Sequence, residues 1–255
     1  MNFINTNFMA LTVQEKQNVI YEIEELLDEA AKKYTFEQKI LVQALFMERY
    51  YHFLKRLLDA VSMPIPTVLK DIRDYLWHYL KKECSIQELE KFHCASESVL
   101  VYILVDDDNK LDKAAWERYK NDWDNSLYFN LCVDEAASEW SYILEQIVRK
   151  TVNWYELTDG ELMAIAGYYI DTFELEPVYK KEDGCYQASE DDRYWSEIYD
   201  SHTFGTIISM LLEDLRTVKD MKEISKEEIQ KLYIQYQKKI IFDEHQIEKI
   251  VKNLK

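Results

Sequence analysis

Two short patterns contain residue types that take part in acid–base or metal chemistry. Glu48 and Arg49 lie inside a strongly apolar stretch, and His52 follows four residues after Glu48. Glu90 and His93 are three residues apart. On a helix, both spacings place the side chains on one face. One hypothesis is therefore an enzyme with a helical active site around Glu48, Arg49 and His52, which a pocket joining them to Glu90 and His93 would favour.

The same residues have simpler interpretations. A charged pair on a buried helix requires partners, so Glu48 and Arg49 predict an internal salt bridge between helices, or side chains that reach water. Di-iron bundles use two Glu-x-x-His pairs, and Glu90-x-x-His93 has no second copy here. The five histidines accompany no nucleophile motif, and no phosphate-binding or dinucleotide motif is present. We expect no catalytic residue marked by a motif, no metal site and no cofactor.

A set of carboxylates and aromatic rings is the more suggestive feature. The formal net charge is −17, and residues 101–200 hold 24 Asp/Glu against 9 Lys/Arg, a net of −15, whereas the other 155 residues hold 24 against 22, a net of −2. Aromatic residues interleave with the acidic ones near the end of this region and again around Trp123. The predicted partner-binding residues are Asp122, Trp123, Asp124, Asp183, Tyr186, Glu190, Asp191, Asp192, Tyr194, Trp195 and Tyr199.

This charge distribution indicates the class of partner. A negative field repels nucleic acid and speeds the approach of basic proteins, while Trp and Tyr are favoured interface anchors. The leading hypothesis is a protein-binding inhibitor, most sharply a cytosolic bacterial immunity protein whose acidic surface occludes the basic active site of a nuclease-type toxin. The alternatives are that the acidity serves solubility alone, with the rings folded onto the core, or that the partner is an endogenous basic protein.

Helix-start signals determine the predicted fold. Five Ser/Thr-x-x-Glu/Gln capping boxes each precede an apolar-periodic segment. With only 4 Gly and 3 Pro in 255 residues, the composition also favours helices over loops or sheets. We predict an all-α protein, a single irregular bundle of about nine or ten helices in one domain over residues 1–255. The boxes are Thr12/Glu15, Thr35/Gln38, Ser85/Glu88, Thr158/Glu161 and Ser225/Glu228.

The predicted helices follow these boxes and the apolar periodicity. The run Val99–Val105 is β-branched, but we predict helix there because no partner strand is evident. No signal peptide and no bilayer-spanning run are predicted, which indicates a cytoplasmic protein with reduced thiols and no membrane association. The predicted ranges are 13–33, 36–61, 67–82, 85–105, 112–122, 125–152, 158–175, 194–199, 202–221 and 226 to near the end.

The last predicted helix supports a third hypothesis. Its apolar stripe consists of Ile229, Tyr233, Tyr236, Ile240, Ile247 and Ile250, with Asp243 interrupting the seven-residue rhythm. Such a stripe docks on the chain's own core in an ordinary amphipathic helix, or forms a coiled-coil seam with a second chain. In the second case the protein is a helical scaffold that dimerises through its C-terminal helix.

One segment resembles a known family. Ala44-Leu45-Phe46-Met47-Glu48-Arg49-Tyr50-Tyr51-His52-Phe53, followed by Asp71-Ile72-Arg73-Asp74-Tyr75-Leu76-Trp77, is similar to a pattern in the YjaG-like family of bacterial helical proteins of unknown function. The similarity covers fewer than 40 of the 255 residues. It implies a compact helical bacterial domain and assigns no catalytic residue.

Overall fold

All the regular structure in the described part of the chain is helical. The computed structural model describes residues 32–105, 111–122, 133–152, 202–221 and 224–253, with the short pieces 10–12, 14–15 and 18. These residues form eight helices and no strand, which confirms the all-α prediction. The helices are α1 Phe36–Ala60, α2 Thr67–Leu80, α3 Ile86–Val105, α4 Lys113–Tyr119, α5 Val133–Arg149, α6 His202–Lys219, α7 Lys226–Tyr236 and α8 Glu244–Asn253.

The capping boxes begin helices where the sequence predicts them. At the start of α1, the hydroxyl of Thr35 accepts from the backbone N–H of Gln38, and the Gln38 side chain accepts from the backbone N–H of Thr35. Equivalent reciprocal bonds form in the boxes at Thr12, Ser85 and Ser225. The box at Thr158, the predicted helices 158–175 and 194–199, and most of the helix 13–33 lie outside the described residues.

The C-terminal segment differs from the prediction. It is two helices, because α7 ends at Tyr236 and α8 begins at Glu244. The side chain of Asp243 accepts from the Gln246 backbone N–H, and the Gln246 side chain accepts from the Asp243 backbone N–H. Asp243, interpreted as an interruption of one long helix, is therefore the N-cap of a separate one. Asp112 caps α4 in the same way, accepting from two backbone N–H groups.

Backbone contacts divide the chain into two compact units. One comprises Tyr34–Asn153 and Asp220–Ile240, and the other comprises Met1–Lys33, Trp154–Lys219 and Ile241–Lys255. We call the first the central unit; among the described helices it holds α1 to α5 and α7. The prediction of one domain over residues 1–255 stays a prediction.

Within the central unit, α1 is the innermost helix. Every residue from Ile40 to Tyr51 is buried, as the apolar run predicts. Helices α2, α5 and α7 pack against α1, and α5 also packs against α2 and α3. A helix covered on several sides places even its polar side chains in the interior, so Gln43, Glu48 and Arg49 are all buried. Buried polar groups need hydrogen-bond partners inside the protein, and for these side chains the neighbouring helices can provide them.

Three helices end in the same unusual way. Ser62, Lys82 and Lys150 have φ values of 62°, 58° and 54°, the left-handed region that glycine normally occupies at helix ends. Each follows a helix by two residues or fewer and makes the paired backbone bonds of a Schellman motif. After α1, for example, the Met63 N–H donates to the Leu58 carbonyl at 2.9 Å and the Ser62 N–H to the Asp59 carbonyl at 3.1 Å. A chain with few glycines ends these helices with strained backbone instead.

Candidate functional site

The buried carboxylate of Glu48 organises a polar cluster inside the central unit. Its Oε2 accepts from Arg73 Nε at 2.8 Å and from the Trp77 indole N–H at 2.7 Å. Its Oε1 accepts from Arg73 Nη2 and lies 3.0 Å from His52 Nε2. The Glu48 side chain is fully buried, and that of Arg73 is 9% exposed. The cluster therefore contains the internal salt bridge that the sequence predicts, formed between α1 and α2.

Helix geometry explains how these side chains meet. Glu48 and His52 are four residues apart on α1, and Arg73 and Trp77 are four residues apart on α2. Each pair therefore occupies one face of its helix, and the two faces meet where α1 packs on α2. Arg73 lies four residues after Leu69 and four before Trp77, and both of these positions are buried. This spacing places the Arg73 charge on the inward face of α2, although the pairing with Glu48 depends on the fold.

The electrostatics favour the ionised forms of both partners. Burial alone raises the pKa of Glu48, but hydrogen bonds from His52 and Arg73, together with their charges, outweigh it and leave the pKa below its usual range. Burial alone lowers the pKa of Arg73, but the hydrogen bond and charge of Glu48 outweigh it and raise the pKa. Glu48 is thus held as a carboxylate and Arg73 as a guanidinium.

Tyrosines extend this cluster to α7. The guanidinium of Arg73 lies 4.3 Å from the centre of the Tyr51 ring and donates to the Tyr233 hydroxyl at 3.1 Å. The guanidinium of Arg49 lies over the Tyr236 ring, 4.7 Å from its centre. Arg73 therefore attaches α7 to the α1–α2 pair through the hydrogen bond to Tyr233 and a cation–π contact 5.2 Å from the centre of its ring, and Arg49 does so through a cation–π contact with Tyr236.

This arrangement suits a structural role better than catalysis. Both oxygens of Glu48 are already engaged by two donors each, which leaves it no lone pair to act as a general base on a substrate. Of the three residues in the enzyme hypothesis, Glu48 and His52 meet, whereas Arg49 faces a different partner. A cavity between the start of α1 and the end of α2 is lined by none of the three.

The second pattern, Glu90 and His93, does not form a pair. Glu90 is exposed, whereas His93 is 5% exposed. Nδ1 of His93 lies 3.3 Å from the Ser141 hydroxyl, and its Nε2 lies 3.4 Å from Glu97. Burial lowers the pKa of His93 despite the opposing influence of Glu97 and Glu145. Ser141 is itself 5% exposed, so this contact joins α3 to α5 in the interior.

Of the predicted partner-binding residues, the structure describes Asp122 alone. Its Oδ2 accepts from the Val68 N–H at 2.8 Å, at the start of α2, where the N-cap residue Pro66 provides no side-chain bond. Burial raises the pKa of Asp122 although hydrogen bonds from Thr67 and Val68 oppose the rise. Asp122 is thus a cap supplied from a distant segment. Lying outside the described residues are Trp123, Asp124, Asp183, Tyr186, Glu190, Asp191, Asp192, Tyr194, Trp195 and Tyr199.

The C-terminal stripe is largely used within this chain. Ile229 and Tyr236 on α7 are fully buried, and Ile247 and Ile250 on α8 are 4% and 3% exposed. The break between α7 and α8 also interrupts the seven-residue repeat that a coiled-coil seam requires. The stripe therefore matches the ordinary alternative, amphipathic helices docked on their own core.

Two further findings concern metal ligands and membrane-spanning helices among the described residues. In the ranges that the structure describes, no three His, Cys, Asp or Glu side chains are grouped as metal ligands would be. In those same ranges, no helix combines the length and apolar character needed to cross a bilayer.

Searches of family models, curated proteins and solved structures find no match to this chain. The resemblance to YjaG-like proteins therefore stays a prediction.

Proposed function

We propose that this chain is a protein-binding inhibitor, in its sharpest form a cytosolic bacterial immunity protein that blocks the basic active site of a nuclease-type toxin. The observation that carries the proposal is the segregation of charge along the chain. Residues 101–200 account for −15 of the net charge of −17. Within residues 153–201 there are 13 Asp/Glu against 3 Lys/Arg. Such a segment attracts a cationic surface over several ångströms and accelerates encounter.

Aromatic residues within the acidic segment support a binding role. Tyr186, Tyr194, Trp195 and Tyr199 alternate with Glu190, Asp191 and Asp192. Large rings contribute contact area at a low entropic cost, and surrounding carboxylates set the register against a basic partner. In this proposal Trp195 anchors the complex and the carboxylates steer its formation.

The described residues provide a second line of support. The groups that the enzyme hypothesis requires are engaged in packing: Glu48 with Arg73, Arg49 with Tyr236, and His93 with Ser141. The C-terminal stripe that the scaffold hypothesis requires is largely buried. Neither alternative gains an observation in its favour.

The test begins with capture of the partner from native lysate on immobilised protein. Association and dissociation rates are then measured at low and physiological salt. The variant Asp191→Lys/Asp192→Lys is expected to slow association at low salt by about tenfold, because it reverses two steering charges. The matched control Glu90→Lys/Glu248→Lys makes the same charge change at two exposed positions on α3 and α8.

The role of Trp195 as an anchor is tested separately from the role of the acidic residues. Trp195→Ala is expected to raise the dissociation rate on the order of tenfold while leaving the melting temperature in place. An acidic captured partner, or an equal slowing by the control pair, would exclude the electrostatic mechanism. An unaltered dissociation rate would exclude Trp195 as the anchor.

A further inference from the structure

A cavity of about 640 Å³ opens in the central unit, away from the Glu48 cluster. It lies between the start of α1, the end of α2 and the segment that leads into α7. Volumes of this size are typical of sites for small organic ligands. The residues that matter for recognition are Glu37, Tyr79, Leu80, Cys84, Met221 and Ile224.

The walls of this cavity combine apolar and polar groups. Leu80 is buried at 5% exposure, and Met221 and Ile224 are partly buried, which provides an apolar surface for the body of a ligand. The Tyr79 ring and the Cys84 thiol add polarisable surface. The position of Met221 is fixed, because its backbone carbonyl accepts from the side-chain amide of Gln38 at 2.9 Å.

Carboxylates lie near two groups of the cavity wall. Burial raises the pKa of Tyr79, and the Glu37 carboxylate raises it further. Burial also raises the pKa of Cys84, with further contributions from Glu88 and Glu83. Lys82 lines the cavity too, but it is exposed and contributes to neither shift. The phenol and the thiol are therefore neutral at pH 7.

Glu37 is the carboxylate best placed to bind a cation. It lies in the first turn of α1 and is exposed to solvent at the cavity. Among the described residues it has no ion-pair partner, whereas Glu83 pairs with Lys81 and Lys226, and Glu88 belongs to the Ser85 capping box. An ammonium group between Glu37 and the face of Tyr79 would gain both a charge contact and a cation–π contact.

We propose that this cavity binds a small organic cation, consisting of an apolar body with an ammonium group directed at Glu37. This inference is independent of the proposed inhibitor function, because it uses other residues and a different ligand class. The apolar body rests on Leu80, Met221 and Ile224.

Cysteine alkylation provides the test, because the chain contains its own reference thiol. Cys84 lines the cavity, whereas Cys94 is exposed on α3. The native full-length protein is treated with N-ethylmaleimide at pH 8, and the rates at the two thiols are read by peptide mass spectrometry. Three probes share one apolar body: phenethylamine, phenethyl alcohol and phenylacetate. Phenethylamine at millimolar concentration, the range expected for about nine non-hydrogen atoms, should slow alkylation of Cys84 and leave Cys94 unchanged.

Variants distinguish the charge contact with Glu37 from the fit of the ligand body to the cavity. Glu37→Gln should raise the phenethylamine concentration needed for half-protection by about fivefold or less, since an exposed charge contact contributes modestly. Met221→Trp should weaken protection by placing a bulky ring against the apolar wall on which the ligand body rests, and Glu90→Gln on α3 should leave protection unchanged. The melting temperature of each variant shows that the comparison is made between folded proteins.

Two outcomes would overturn the proposal. Equal protection by phenylacetate and phenethylamine would show a cavity without preference for cations. Absence of protection by any of the three probes would show that the cavity holds no ligand of this class. Neither outcome bears on the inhibitor function, which depends on residues outside the cavity.

Discussion

Removing the charge of Glu48 tests whether the buried salt bridge holds the central unit together. In Glu48→Gln the Trp77 indole keeps an acceptor, but the Arg73 guanidinium, 9% exposed, loses its buried counterion. Among the described acidic residues it keeps only Asp74, whose carboxylate lies 3.1 Å away and is 39% exposed. Breaking a buried ion pair by neutralising one partner costs about 3–5 kcal/mol, because the remaining charge stays desolvated. That loss is comparable to a large part of the stability of a typical domain, about 5–15 kcal/mol.

Urea unfolding followed by circular dichroism measures this cost. With a denaturant dependence of about 3 kcal/mol per molar, a loss of this size lowers the midpoint by about 1–2 M. The matched control is Asp59→Asn, on the same helix and also in an i, i+4 pair, in which Asp59 is 61% exposed. We expect a control loss of at most about 0.5 kcal/mol.

A second substitution, at Arg73, tests whether the loss of stability comes from the guanidinium that is left without Glu48. In Glu48→Gln/Arg73→Met no buried charge is left without a partner, so the double variant should be more stable than Glu48→Gln alone. Equal midpoints for Glu48→Gln and Asp59→Asn, or a further loss in the double variant, would refute the reasoning. The dependence of the unfolding free energy on pH in the acid range gives an independent check. Because the folded pKa of Glu48 is lowered, its contribution is present above about pH 4.3, the unfolded value, and is lost as the pH falls through the folded pKa.

Other contacts give further expected outcomes. Ser62→Gly and Lys150→Gly should each raise the free energy of unfolding by about 1 kcal/mol, because glycine adopts positive φ without strain; unchanged or lower melting temperatures would contradict this. The His93 contribution should be complete above about pH 6.5 and decline as the pH falls from there toward its lowered folded pKa, by up to about 1.4 kcal/mol per pH unit. His93→Gln should remove that pH dependence, and its persistence would assign it to another group. Asp122→Ala should cost about 1–2 kcal/mol by uncapping α2, which thermal unfolding measures; a change below about 0.3 kcal/mol would show that water replaces the cap.

Local signals in the sequence predicted helix starts well. The boxes at Thr35 and Ser225 each satisfy backbone donors within three residues, so the information lies in the segment itself. The Asp243 box uses the same chemistry with Asp and Gln, but it lies outside the Ser/Thr-x-x-Glu/Gln pattern, and the apolar stripe continues on both sides of it.

Contacts between distant segments were not predictable in this way. Arg73 meets Glu48 across 25 positions of the sequence, and Asp122 meets Val68 across 54. No local pattern specifies which charge faces which, because the choice depends on how two helices pack. The helix ends at Ser62, Lys82 and Lys150 could not be predicted either, because none has the glycine that marks such an end.

The interior also contains a pair of amides that determines how two helices align. The side-chain amide of Gln43 on α1 donates to Gln146 on α5 at 3.3 Å, and the Gln146 amide donates back at 3.1 Å. Sliding α5 by one turn, about 5.4 Å, would separate them and leave both desolvated, at about 1–3 kcal/mol each. Two leucines would fill the space equally well but would tolerate several alignments. The two glutamines thereby select one alignment of α5 on α1, whereas apolar side chains alone would permit several alignments.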